Sequence, residues 1–129
     1  MRRITNILCY WIPPLAWMGT IFYMSSQKSI TMTTNVTTDF ATFKTLHMVE
    51  YAFLFFLFYR AFQSVKCIQK NLYGLYAFFI AIFYSLTDEF HQLFIPTRQG
   101  RLRDILFDIA GMLVMYTIIK KVRLIQKLL

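Results

Sequence analysis

Four short patterns carry the side chains able to do chemistry. The first is Lys44-x-x-His47-x-x-Glu50-Tyr51 and the second is Asp88-Glu89-x-His91-Gln92. The third is the group Arg98, Arg101 and Arg103, and the fourth is Asp104-x-x-x-Asp108. His47 or His91 can serve as a general base oriented by Glu50, Asp88 or Glu89, with Arg98 and Arg103 stabilising a developing oxyanion. Asp104 and Asp108 join the same candidate catalytic set. Arginines also grip phosphate through forked donors, which gives the same positions a binding role. A metal-dependent version would use His47, His91 and one carboxylate as three protein ligands. The chain has no HExxH pattern and no serine in a nucleophile motif. The sequence therefore predicts neither a metal nor any other cofactor.

The elements holding these groups follow from composition. The chain has 129 residues, 57% hydrophobic and only 16% charged. One small soluble core could not hide that much apolar surface, and the hydrophobicity is too high for disorder. A helix crossing a bilayer needs roughly 20 apolar residues. Such spans are predicted at about 4–26, 44–63, 72–92 and 103–120, giving one all-α domain over 1–129, a four-helix transmembrane bundle. Pro13 and Pro14 should kink the first span, since neither offers a helical N–H. The Thr- and Ser-rich stretch from Lys28 to Phe43 reads as one long external connection. No internal repeat is visible. The first span lacks an A-x-A cleavage pattern and is read as retained rather than removed.

Charge sets the orientation. Arg2, Arg3, Arg60, Lys66, Lys70, Lys120, Lys121, Arg123 and Lys127 share one side if four spans alternate, against Lys28, Lys44, Arg98, Arg101 and Arg103 on the other. The positive-inside rule places both termini in the cytoplasm. The net charge of +8 flanks apolar runs instead of forming a polar stripe, so nucleic acid is not the expected partner and the lipid bilayer is. Cys9 and Cys67 fall on or near the cytoplasmic side, which argues against a structural disulfide. All six acids (Asp39, Glu50, Asp88, Glu89, Asp104 and Asp108) fall on the outer side.

Helical spacing refines this picture. At 100° per residue, Lys44, His47 and Tyr51 share a stripe bordered by Glu50. Asp88 and Gln92 lie one turn apart, as do Ser85 and Glu89. Asp104, Asp108 and Gly111 form a line whose glycine admits a close neighbour. An ionised side chain at the centre of a span costs about 2.5–3.5 kcal/mol, so acids near the outer interface must face one another, a cation or water. A shared polar pocket open to the outside is the cheapest arrangement, with Ser25 and Gln27 completing its rim. Each group also has a plain reading. Lys44 can snorkel, and His47 can be a hydrogen-bonded interior histidine. Arg98, Arg101 and Arg103 can anchor on lipid phosphates, Asp104 can cap a helix, and Asp108 can pair with an arginine. Ser25, Ser26 and Gln27 can simply end a span.

Ile21-Phe22-Tyr23-Met24-Ser25-Ser26-Gln27, Lys44-x-x-His47-x-x-Glu50-Tyr51, Asp88-Glu89-x-His91-Gln92-x-Phe94-x-Pro96-x-Arg98 and Arg103-Asp104-x-x-x-Asp108-x-x-Gly111 together resemble the VanZ-like family, across nearly the whole chain. The chain departs from many members at Thr97, where they have glycine, and near Met115, where they have a second small residue. The resemblance implies a multi-pass protein of the bacterial cell membrane whose namesake is associated with resistance to teicoplanin. Three functions follow as expectations. One is an outward site, built from the residues above, that binds a lipid-linked cell-wall precursor or an anionic lipid. The second is an intramembrane enzyme of phosphoester or acyl chemistry. The third is a structural or partner-binding protein glued by its polar groups.

Overall fold

The computed structural model describes residues 2–27, 36–96, 98 and 101–122, without the side chains of 2–7, 36–40 and 102. Its helices are α1 (Arg2–Ser26), α2 (Val36–Gln63), α3 (Tyr73–Gln92) and α4 (Ile105–Lys121). Single 3-10 turns at Lys70–Leu72 and Leu102–Asp104 lead into α3 and α4. No strand occurs among the described residues. The all-helical class and the place of each helix agree with the sequence reading, and the ends of α1, α3 and α4 lie within two residues of the predicted ones.

The Lys28–Phe43 connection is corrected. Helix α2 begins at Val36, eight residues before the predicted Lys44. Nothing between Val36 and Phe43 is glycine or proline. Once the apolar part of α2 has met the cost of nucleation, each added residue gains a hydrogen bond, and weakly helical threonines are carried along. The rest of that connection, 28–35, lies outside the described residues, as do Thr97, Arg123 and Lys127. Helix α1 runs unbroken through Pro13 and Pro14. The two rings leave the carbonyls of Cys9 and Tyr10 without their usual helical donors.

Helix α2 packs most extensively on α4, then on α3 and α1. Tyr51, Leu54, Phe55, Phe58, Tyr59 and Phe62 bury one α2 face at the 3–4-residue period, against Ile21, Ala77, Ala81, Met112 and Ile119. Edge-on rings tighten the same seam, Trp11 on Phe62 at 5.2 Å and Phe55 on Phe78 at 6.4 Å. Met115 packs against this core from its edge. The α2–α4 contact is close because Gly111 is there: a Cβ at that position would lie 2.2 Å from the Met48 carbonyl oxygen. Cys9 and Cys67 are free thiols.

The buried face of each helix changes character along its length. On α3 it runs Tyr73, Ala77, Ala81, Ser85, Asp88, Glu89, Gln92. On α4 it runs the other way, from Asp108 through Gly111 and Met112 to Ile119. On α2 His47 and Tyr51 precede the aromatic run. Successive helices are antiparallel, so the polar ends coincide and so do the apolar ends. The outward faces carry large apolar groups, Phe83 being 70% and Phe94 69% exposed. One stretch among the described residues, Ala41–Gln63, is long and apolar enough to cross a membrane.

Gly111→Ala is expected to destabilise the protein by about 1–3 kcal/mol, since the clashing atom is backbone and no rotamer relieves it. Gly19→Ala, in open space on α1, is expected to be neutral or stabilising by up to about 1 kcal/mol. Thermal unfolding of both variants in detergent checks the pair, and equal melting points would contradict the close α2–α4 approach.

Candidate functional site

The polar end is built outward from Asp108. This residue sits one turn inside α4 and is 1% exposed. Its Oδ2 accepts a hydrogen bond from the Ser85 hydroxyl at 2.6 Å, and its Oδ1 lies 3.8 Å from His47 Nδ1. Asp88, on α3, accepts from Ser25 Oγ at 2.9 Å and from Gln92 Nε2 at 3.1 Å, both at Oδ2. The Gln92 amide also reaches Ser25 Oγ at 3.4 Å. Glu89 Oε2 accepts the Arg101 backbone N–H at 2.8 Å, which ties the loop before α4 to α3. Lys44 forms an ion pair with Asp104 Oδ2. Asp104 occupies the N-cap position of α4 but makes no side-chain capping bond. Its carboxylate is turned to the Lys44 ammonium instead.

A single regularity runs through these contacts. Asp88, Glu89, Asp104 and Asp108 are each anchored through one carboxylate oxygen. The other oxygens (Asp88 Oδ1, Glu89 Oε1, Asp104 Oδ1 and Asp108 Oδ1) are buried with no hydrogen-bond partner among the described residues. Arg103 Nε approaches Asp104 Oδ1 only to 3.8 Å. A buried polar atom left unpaired costs about 1–3 kcal/mol, and more when charged. These four oxygens and the buried Tyr51 hydroxyl gather in one end of the bundle, with Arg103 Nε and His47 Nδ1 each 3.8 Å away from Asp104 Oδ1 and Asp108 Oδ1 respectively.

A pocket of about 130 Å³ adjoins the cluster, lined by Met24, Ser25, Phe43, Leu46, His47, Glu50 and Arg98. That is about four times the ~30 Å³ share of a water molecule in the liquid. Glu50 is half-buried on its wall, and its own carbonyl accepts the Trp17 indole N–H at 3.0 Å, which fixes α1 against α2. Tyr51 lies behind His47, their rings stacked at 6.3 Å, and is fully buried. Tyr84 donates to the Met18 carbonyl at 2.6 Å, which ties α3 to α1.

The residues named from sequence fall into three groups. Ser25, Lys44, His47, Tyr51, Asp88, Glu89, Gln92, Asp104 and Asp108 are brought together. Glu50 and Arg98 stand at the pocket. His91 and Gln27 stand apart, and Arg103 meets the cluster only from its edge, through Asp104 at 3.8 Å. His91 Nε2 is 3.0 Å from Ser26 Oγ and its ring lies on Phe22 at 4.5 Å, so it serves the α1–α3 seam. The Gln27 side chain folds back to the Tyr23 carbonyl at 3.4 Å. Arg103 is exposed at the rim. Arg98 donates from Nε to the Gln27 carbonyl at 2.9 Å and from Nη2 to the Met24 carbonyl at 3.0 Å. It thus caps α1, whose last carbonyls carry the negative end of the helix dipole. Lys28 and the side chain of Asp39 lie outside the described residues. Ser85 is a site residue to which the sequence reading gave no role. Its signal was its place one turn before Glu89 within an apolar run.

The model of the VanZ/LLP1 family matches residues 8–126, nearly the whole chain, and the chain belongs to that family. No curated protein and no solved structure matches it.

The Lys44–Asp104 pair makes a sharp prediction. Lys44→Met strands a buried carboxylate and is expected to cost about 3 kcal/mol, the low end for a broken buried pair because Lys44 keeps some exposure. Lys44→Met with Asp104→Asn is expected to recover most of that loss. A double-mutant cycle on unfolding in detergent reads the coupling, and strictly additive effects would contradict the pairing.

Proposed function

We propose that this VanZ/LLP1 protein is a four-span membrane protein with both termini in the cytoplasm. Its outward end receives the anionic, phosphate-bearing head group of a lipid-linked cell-envelope intermediate. The spanning arrangement is supported by the inverted polarity of the bundle. Carboxylates are buried, while Leu8, Ile12, Leu15, Phe79, Phe83 and Leu106 face outward. Lys66, Lys70, Lys120 and Lys121 are exposed at the end opposite the acids, where the positive-inside rule puts cytoplasmic cations. Lipid-facing apolar groups and interior ionisable ones are what a bilayer selects.

The observation that carries the ligand is the pocket that joins Arg98, His47 and Ser25 beside the cluster. Arg98 offers five N–H donors, of which the α1 carbonyls take two, so a forked edge remains for a phosphate. The apolar Met24, Phe43 and Leu46 on the same wall suit the first carbons of a lipid. Altered susceptibility to teicoplanin, which acts on cell-wall precursors, is the phenotype such handling would produce.

A second reading keeps the ligand and adds chemistry. His47 lines the pocket and has a carboxylate 3.8 Å behind it, the arrangement of an oriented general base.

The test uses the purified full chain and a short-chain phosphatidic acid, with phosphatidylcholine of the same chain length as the comparison. Preferential retention of phosphatidic acid in native mass spectra is expected. Arg98→Lys keeps charge but not the fork and is expected to lose binding about 10-fold, a difference of about 1.4 kcal/mol. Equal retention of both lipids, or full binding by Arg98→Ala at unchanged melting point, would overturn the proposal. For the second reading, His47→Gln is expected to abolish head-group release while binding persists. If the wild-type protein releases no head group, that reading fails alone.

A further inference from the structure

We propose that His47, Glu89 and Asp108 form a binding site for a divalent transition-metal ion, Zn2+ or Mn2+, at the centre of the polar end. One donor atom from each residue lies within 4.8 Å of the other two, and all three residues are buried. They come from α2, α3 and α4, so the site exists only in the folded bundle. The inference goes beyond the lipid reading and does not depend on it.

The donor oxygens are buried, oriented and left without hydrogen bonds. Asp108 is 1% exposed, and its unpartnered Oδ1 is aimed at His47 Nδ1, 3.8 Å away. Glu89 is 3% exposed and its Oε1 is likewise unpartnered. The opposite oxygens are held by the Ser85 hydroxyl and the Arg101 backbone N–H. That is the outer-shell pattern of a metal site, in which each carboxylate is oriented by a hydrogen bond on one oxygen and presents the other.

Charge points the same way. Four buried carboxylates at this end face the Lys44 ammonium as their buried cation, with Arg98 and Arg103 nearer the surface. A divalent ion offsets two of the remaining negative charges. One imidazole with two carboxylates is a mixed N/O set, which suits Zn2+ and Mn2+ better than Mg2+ or Cu+. Metal–ligand bonds of about 2.1 Å require donors roughly 3.4 Å apart, so small side-chain rotations bring the three donors in. Three protein ligands leave further coordination positions open, and His47 puts the ion beside the pocket. The histidine used is His47 alone, because His91 is engaged with Ser26 and Phe22.

The full chain, purified in detergent without chelator, is assayed for metal by inductively coupled plasma mass spectrometry. It is then stripped with EDTA and titrated with ZnCl2 or MnCl2 while its melting point is followed. About one ion per chain and a rise in melting point with one of the two metals are expected. His47→Gln and Glu89→Gln are expected to reduce bound metal at least 10-fold, whereas His91→Gln keeps it. Asp108→Asn is a third arm, with an amide oxygen still able to accept from Ser85. If it does not fold, the other two variants decide. Wild-type protein that holds no metal and shows no shift with either ion would overturn the proposal, as would equal loss in His91→Gln. No lipid enters this assay, so its failure leaves the phosphate reading standing.

Discussion

The structure depends on keeping four carboxylates inside one end of a helical bundle. Asp88, Glu89, Asp104 and Asp108 are nearly inaccessible. A bare buried carboxylate is among the most expensive groups a fold can contain. Each is held by a short, directional contact from another element: Ser25 of α1 on Asp88 (joined by Gln92 of its own helix), Ser85 of α3 on Asp108, Lys44 of α2 on Asp104 and the backbone of Arg101 before α4 on Glu89. These bonds do more for register than for net stability. A serine hydroxyl on α1 meeting an aspartate on α3 fixes how far the two helices slide. Apolar rings alone would tolerate a shift of a turn.

The opposite end supplies the stability that this arrangement needs. Phe55, Phe58, Tyr59 and Phe62 on α2 close over Ala77 and Ala81 on α3, and those small residues let the helices approach. Gly111 extends the close approach toward the polar end at the level of Met48. The carboxylates therefore sit at the end of a tightly packed seam, where surrounding helices cannot move away to admit bulk water.

Much of this was legible in the sequence because the information lay on single helices. The Lys44–His47–Tyr51 stripe, the Asp88–Gln92 step and the Asp104–Asp108–Gly111 line are matters of 3.6-residue periodicity, and all three face the interior. What periodicity cannot supply is the rotation of one helix relative to its neighbour, or the course of a loop. His91 is three residues from Asp88 and also reaches α1, but at Ser26 and Phe22, outside the carboxylate cluster. Arg98 lies on a turn whose path brings its guanidinium to the end of α1. The early start of α2 was missed for a different reason: threonines discourage helix locally, and the long apolar segment behind them overrides that preference.

An electrostatic tension remains between the two parts of the site, and it bears on mechanism. A phosphate bound in the pocket as proposed would lie beside the carboxylate cluster. Like charges so placed oppose binding. Arg98 answers this repulsion with the guanidinium edge that the carbonyls of Met24 and Gln27 leave free. Lys44 is committed to Asp104. A cation between His47, Glu89 and Asp108 would convert the cluster from a repulsive wall into a counter-charge for the head group. It would also explain why the unpartnered oxygens of Glu89 and Asp108 belong to residues gathered within 4.8 Å around the one histidine that also lines the pocket. With such an ion in place, the acids would hold a second positive charge beside the Arg98 guanidinium.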